Sequence, residues 1–262
     1  MPHPPNPLAV LFALHAEAGP FRRAIGPYDG EGTPTDPAWG SVGGTGVVWA
    51  VTGMGKQRAH DGAASLISQT APRALLIAGF CGGLAPVMRI GEMVCATRCL
   101  SAGHRESLQP AQPWVDAALA ALRDRKRAIH CGTLLSVDRP LPTPEVKAAM
   151  RSAWPNATAV DMESYGAAEA AETAGVPWLA IRCVTDGPDD VLPSGLDRVA
   201  ADGQPDGTAI ALAATLRPWR LPRLAATARA ASRAALELGS AVLVVAAATA
   251  ALHRPLRRSG CG

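Results

Sequence analysis

The dominant pattern along the chain is a series of short apolar runs, each leading through a turn into a stretch whose apolar positions have helical spacing. Residues 8–14 ("LAVLFAL") are continuously apolar, as a strand covered on both faces must be, and "HAEAGPFRRAI" after them reads as a helix. Residues 26–46 are dense in Gly, Pro and Asp and predict loop or loosely paired edge structure. Val47 to Thr52 ("VVWAVT") is another strand, followed by the turn "GMGK" and a helix to about Thr70. Arg73 to Gly79 ("RALLIAG") is a third, and the glycines of "GFCGGL" predict a turn at its end.

The same order continues. "IGEMVCATRCL" alternates enough for a strand, residues 114–127 are helical with a basic last turn, and "HCGTLLSV" is a strand. "TPEVKAAMRSAW" predicts a helix with Thr143 as N-cap, Pro144 at the first position and Glu145 in the first turn. "ATAVDME" leads into a helix that should stop at Gly175, where a left-handed residue is unstrained and Pro177 blocks continuation. Trp178 to Thr185 ("WLAIRCVT") is a strand rich in branched residues. Repeated strand, loop and helix predict an α/β layered domain on a central, largely parallel sheet.

Composition narrows this. Of 262 residues 48% are hydrophobic but only 4% aromatic, so the core must be built from Ala, Val, Leu and Ile. The net charge of +3 is small, and the excess Arg lies mostly beyond Leu216, which argues against nucleic acid as a partner. The six cysteines form no C-x-x-C pair and read as reduced core thiols of a cytoplasmic protein. The first residues lack the basic flank and the long apolar run of a signal peptide. Scattered histidines and the absence of H-E-x-x-H argue against a metal site.

In parallel sheets ligands sit beyond the carboxyl ends of the strands. That edge collects Glu17, "GMGK", "GFCGG", Asp161 with Glu163, and Asp186. An acid there can equally cap a helix, and Asp161 is the one best read as a cap. "GMGK" matches neither the phosphate-binding loop, which needs Gly where Ala50 stands and Ser or Thr where Gln57 stands, nor the dinucleotide fingerprint, which needs Gly in place of Arg58. Gly53, Gly55 and Arg58 are therefore only candidate phosphate contacts, with Arg22 and Lys56 also in range by position. "GFCGGL" is better suited to close backbone approach by a ligand.

"GMGK", "GGLAP…IGEMV" and "DMES…GVPWLAIRCVTD" keep order and spacing across the chain, and together they resemble the nucleoside phosphorylase and nucleosidase superfamily, especially the methylthioadenosine/S-adenosylhomocysteine nucleosidases. The resemblance implies a three-layer α/β/α sandwich with a central mixed, largely parallel sheet, a purine nucleoside as small-molecule substrate, no cofactor beyond inorganic phosphate as a candidate co-substrate, and a homodimer or larger assembly. It makes Glu163 the acceptor for ribose hydroxyls, Met162 a surface under the sugar, Asp186 the acid that assists the departing base, and Glu17 the residue that orients a water nucleophile. Phe80, Cys81 and Gly82 would line the substrate, with Pro140 and Leu141 over the base. An acid at Asp186 suits the chemistry, because the purine leaves more readily when protonated at N7 while Glu163, kept ionised, steadies the developing sugar cation. Two departures stand out: Pro140 where the nucleosidases place an aromatic ring, and Phe80 where many relatives have Ser or Thr.

Residues 217–262 fall outside the superfamily pattern, so the chain divides into a domain over 1–216 and a basic helical extension over 217–262. "RPWRLPRLAATARAASRAALELG" is an amphipathic helix pattern, and "SAVLVVAAATAAL" is an apolar run too short to cross a bilayer. Helix packed on the domain and peripheral contact with the inner membrane are both expected readings of it. "GFCGGL" with this extension resembles the hopanoid-associated phosphorylases, which implies adenosylhopane as substrate. The alternatives are a methylthioadenosine/S-adenosylhomocysteine nucleosidase and a non-catalytic nucleoside-binding protein.

Overall fold

The computed structural model describes residues 4–26, 29–104, 106–124, 128–192 and 221–252, with their side chains except at 124 and 221–224. The elements run β1 (Leu8–Phe12), α1 (His15–Ala24), β2 (Ala38–Val42), β3 (Thr45–Val51), α2 (Lys56–Thr70), β4 (Ala74–Gly83), β5 (Met93–Ser101) and α3 (Gln112–Asp124). They continue with β6 (Ile129–Ser136), α4 (Pro144–Ala153), β7 (Ala157–Asp161), α5 (Ser164–Thr173), β8 (Trp178–Asp186) and α6 (Leu221–Ala248).

The strands form one sheet in the order β2-β3-β1-β4-β7-β6-β5-β8, and β8 also pairs with β4. Five of the eight strands, β4-β7-β6-β5-β8, are thus closed on themselves, and β4 meets β1, β7 and β8. Pairing is parallel except for β2–β3, β4–β7 and β5–β8. Alternation explains the layers. Leu8, Val10 and Phe12 of β1 pack on one side with Phe21 of α1 and with α3 and α6. Ala9 and Leu11 pack on the other with α2 and α5.

Local signals are met where the backbone demands them. Gly43 and Gly44, at φ of 55° and 81°, form the two-residue connection between β2 and β3, a conformation that suits glycine. Thr143 caps α4 by accepting from Val146 N, and Gly175 adopts φ of 59° just past α5. One expectation fails: "GFCGGL" is no turn, because β4 continues in ladder pairing with β8 to Gly82 and with β7 to Gly83. Gly79 needs to be glycine for another reason, since a Cβ there would collide with the Arg182 guanidinium. Cys81, Cys95, Cys99 and Cys183 are buried and form no disulfide, but Cys131 is exposed on β6, against the expectation of a core position. Cys261 lies outside the described residues.

The carboxyl-terminal pattern also resolves differently from two separate pieces. The amphipathic segment and the apolar run form a single helix, α6, whose Leu238, Val242 and Val245 are buried in the same cluster as β1 and β4. Each such side chain contributes about 1.5–3 kcal/mol when fully buried. The helix is long and apolar enough to cross a membrane by composition, yet one face of it, with Leu238, Ala241, Val242, Val245 and Ala246, is buried in the core. Gly239 marks the tightest approach to α1: a Cβ would lie 2.8 Å from Pro20 Cβ and 2.9 Å from Phe21 N. Gly239→Val is therefore expected to destabilise the fold by about 1–3 kcal/mol through overpacking. A melting temperature equal to that of the parent chain would show that α6 is not docked there.

Candidate active site

Glu17 sits in the first turn of α1, where a glutamate can reach back to the exposed amides at the helix start. Its Oε2 accepts from Ala13 N at 2.9 Å and Leu14 N at 2.8 Å, and its Oε1 accepts from Phe80 N at 2.7 Å. Burial pushes its pKa up, while Arg182 and these amides oppose the rise. A carboxylate has about four acceptor sites, so one remains open here.

Glu163 follows β7 and begins α5, and the chain turns it toward α2. Its Oε1 accepts from Gly55 N at 3.1 Å, and its Oε2 meets Arg182 Nη1 at 3.4 Å. Burial pushes its pKa up to about 7, with Arg182 opposing and the carboxylates of Asp161 and Glu17 adding to the rise. Burial therefore works against the ionised state that the sugar role requires, and Arg182 is the charge that counters it. Asp161, read from sequence as a cap, does accept from Ser164 N at 3.4 Å, but it also lies 2.9 Å from Arg182 Nε.

Arg182 is the centre that sequence reading passed over. It is 1% exposed, in the middle of β8, and it faces Asp161 and Glu163 while its Nε donates to Ser164 Oγ at 3.0 Å. Burial works against its charge, but Asp161, Glu163 and Glu17 hold it protonated and raise its pKa. A signal was available, since an arginine inside a strand buried on both faces must find a counter-ion.

Asp186 ends β8. Cys81 pairs with Val184 and Gly82 with Asp186, so Thr185 is an extra residue, a bulge that turns both Thr185 and Asp186 into the site. Asp186 Oδ2 accepts from Lys147 Nζ at 2.6 Å, and Oδ1 accepts from Thr185 Oγ1 at 2.9 Å. Burial raises the pKa of Asp186, and the Lys147 ammonium and both hydrogen bonds pull against it. Gly82 leaves room for this carboxylate, because a Cβ there would stand 3.0 Å from Oδ2.

These acids open on one cavity of about 360 Å³. Glu17, Glu163 and Asp186 line it together with Met162. Phe80, Cys81 and Gly82 form one edge, and Pro140 and Leu141 another. All nine expected catalytic and substrate positions are therefore brought together. Much of the remaining wall is apolar, with Leu14 and Ala16 at α1, Leu192 and Ala231 of α6, and α6 adds Thr227. The α6 contribution was not expected, since the helix is remote in sequence from every site motif.

The candidate phosphate contacts are placed elsewhere. Gly53 N donates to Ala13 O at 3.0 Å, and Gly55 N is bound to Glu163. Lys56 Nζ is held by Ser101 Oγ and Asp138 Oδ1, both at 2.9 Å. Arg58 lines a neighbouring polar cavity with Lys56, and Arg22 lies over the Trp49 ring. Among the described residues no cluster of His, Cys, Asp or Glu could hold a metal ion.

The model of the phosphorylase superfamily matches residues 7–214. A 5′-methylthioadenosine/S-adenosylhomocysteine nucleosidase of Actinobacillus succinogenes is 28% identical over 165 residues, covering 57% of this chain and 72% of that protein. A Haemophilus influenzae protein of the same description is 26% identical with the same coverage. Among solved structures, the Neisseria meningitidis nucleosidase in complex with methylthio-immucillin-A superposes with a TM-score of 0.72 at 19% identity, over 92% of this chain and 98% of that one. Futalosine hydrolase of Helicobacter pylori gives 0.72 at 16% identity, over 92% and 97%. At such identities the structural likeness speaks for the fold, and its coverage takes in the carboxyl-terminal part beyond residue 214.

Proposed function

The chain belongs to the phosphorylase superfamily, and on that premise we propose that it is an enzyme that cleaves the N-glycosidic bond of a purine nucleoside. One observation carries the reading: Glu17, Glu163 and Asp186, from three separate strand ends, meet in one largely apolar cavity that Asp161 also lines. Glu163 accepts the ribose hydroxyls and, when ionised, steadies the sugar cation, while Met162 packs under the ring. Asp186 protonates the purine at N7 as the bond to C1′ breaks. Pro140 and Leu141 cover the base in place of an aromatic ring.

The nucleophile in this reading is water, oriented by the remaining acceptor site of Glu17. Two observations favour water over inorganic phosphate as co-substrate: the amides of Gly53 and Gly55 already have partners, and Lys56 is tied to Ser101 and Asp138.

For the substrate we propose adenosylhopane, cleaved to adenine and ribosyl hopane in hopanoid biosynthesis. The apolar wall from Leu14, Ala16, Leu192 and α6 supports a lipidic group on the sugar. Arg229, Arg233 and Leu236, at helical spacing on the solvent side of α6, suit peripheral contact with the inner membrane from the cytoplasm. A methylthioadenosine/S-adenosylhomocysteine nucleosidase is the second reading, favoured by the curated relatives. The test is base release from adenosylhopane, methylthioadenosine and inosine, each with and without phosphate. Preference for methylthioadenosine would overturn the lipid substrate, and a sugar 1-phosphate product would overturn water. Release from none of them would leave a binding protein.

The titration of Glu163 gives a separate check. The 4-nitrophenyl glycoside of the same sugar has a leaving group that needs no protonation, so its kcat/KM is free of Asp186. It is expected to fall about tenfold per pH unit below about 7, as Glu163 takes its proton. A flat profile down to pH 5.5 would remove Glu163 from the role of an ionised sugar acceptor.

A further inference from the structure

Lys147 is fully buried, and its ammonium makes three hydrogen bonds: to Asp186 Oδ2 at 2.6 Å, Gly187 O at 2.6 Å and Asp190 O at 3.1 Å. Three acceptors match the three donors of an ammonium group. A buried ion pair is a poor device for stability, since an apolar pair of similar volume usually serves as well or better. Its position therefore calls for another explanation. It joins a helix turn to the end of β8, at a carboxylate that faces the cavity beside a hydroxyl able to turn away. Thr185 Oγ1 has a single hydrogen and two acceptors in reach, Asp186 Oδ1 at 2.9 Å and Cys81 O at 3.3 Å.

We propose that Lys147 is a positioning residue that sets the acid strength of Asp186, holding Oδ2 so that Oδ1 faces the base and receiving the charge that appears when the proton leaves. This role rests on the base-releasing reaction proposed above. In that step the C1′–N9 bond breaks with its electron pair going to the purine, water adds to C1′ and passes one proton to the open acceptor site of Glu17, and the proton on Asp186 Oδ1 passes to N7. Negative charge moves from the purine onto a carboxylate 2.6 Å from an ammonium. Thr185 swings its hydrogen to Cys81 O while Oδ1 is protonated and returns it when the carboxylate forms.

The ionisable groups facing Asp186 are Lys147 from α4, Cys81 from β4 and Asp190 beyond β8. Burial holds the Cys81 thiol protonated, and the Asp190 carboxylate is turned to Gly187 N at 2.7 Å. Lys147 is the cation of the set. Without it, Asp186 holds its proton more tightly and gives it up less readily.

The experiment uses two variants, Lys147→Met and Lys147→Gln, with a purine nucleoside and the 4-nitrophenyl glycoside of the same sugar. The ratio of their kcat/KM values cancels every requirement the substrates share and leaves the proton donated by Asp186. In the parent enzyme this ratio falls with rising pH as Asp186 ionises. In both variants the midpoint of that fall is expected to move upward by about one unit or more, because an opposite charge at this distance shifts a carboxyl by about 1–3 units. Below the midpoint, the ratio is expected to drop about tenfold to 100-fold as the acid weakens. If Lys147→Met fails to fold, as thermal melting would report, Lys147→Gln retains donors without charge and carries the test. Equal losses on both substrates with an unmoved midpoint would reduce Lys147 to a structural residue and overturn the proposal. Release of base by the parent with unchanged ratios in the variants would overturn this role alone, whereas no release of any purine by the parent would overturn the reaction itself.

Discussion

Replacing Asp186 by asparagine is expected to lower turnover of a purine nucleoside by about 10²–10⁴, the range supplied by a positioned general acid. The amide can still accept from Lys147 through its oxygen, so the geometry around Oδ2 is retained, but it has no proton of the required acidity to give. The substitution also leaves the buried ammonium without a counter-charge, and some loss of stability accompanies it. Two measurements separate these effects. Thermal melting shows whether the chain is folded at the assay temperature, and turnover of the 4-nitrophenyl glycoside, which needs no acid, shows whether the sugar site survives. A loss of less than about tenfold on the purine nucleoside would return Asp186 to the role of a structural partner for Lys147.

The largest effect on stability is expected from Arg182→Met. This residue is nearly inaccessible and counters Asp161, Glu163 and Glu17 at once, so removing it leaves several carboxylates without the charge that permits their burial. Breaking a buried ion pair from one side costs about 3–5 kcal/mol. In a domain of this size, that lowers the melting temperature by about 10 °C. Glu163, already pushed to about 7, should rise further without Arg182. The acid limb measured with the nitrophenyl glycoside is then expected to move to higher pH in any variant that stays folded. A melting temperature within 2 °C of the parent would mean that water, rather than Arg182, balances these acids.

Lys147 and Arg182, the most deeply buried cations among the described residues, illustrate how differently side chains report their roles. Val146 and Lys147 are adjacent in the first turn of α4, where hydropathy alone would send the valine inward and the lysine outward. The structure has the reverse: Val146 is 39% exposed and Lys147 is 0% exposed. No pattern within "TPEVKAAM" could indicate this, because the partner of Lys147 stands 39 residues away. Arg182, in contrast, interrupts a strand whose neighbours are apolar on both faces, and that local conflict was itself a sign of a paired charge.

The glycine segments were legible in a mixed way. Positive φ at Gly175 follows from the helix that precedes it and the proline that comes after, both local facts. "GFCGGL" looked like a turn because glycines are usually found there. Its glycines instead make space, within a continuing strand, for the Arg182 guanidinium and the Asp186 carboxylate that arrive from β8.

What the sequence alone determined was the succession of strands and helices, the layered α/β fold and the row of acids at strand ends, because hydrophobic period and end signals act over a few residues. Tertiary structure decided which of those acids converge, that Arg182 and Lys147 supply their counter-charges, and that α6 closes one wall of the cavity. The physical reason is the same in each case. Burying a charge is tolerable only beside its opposite, and in this fold those opposites come from different elements, brought together when the sheet closes β4 against β7 and β8.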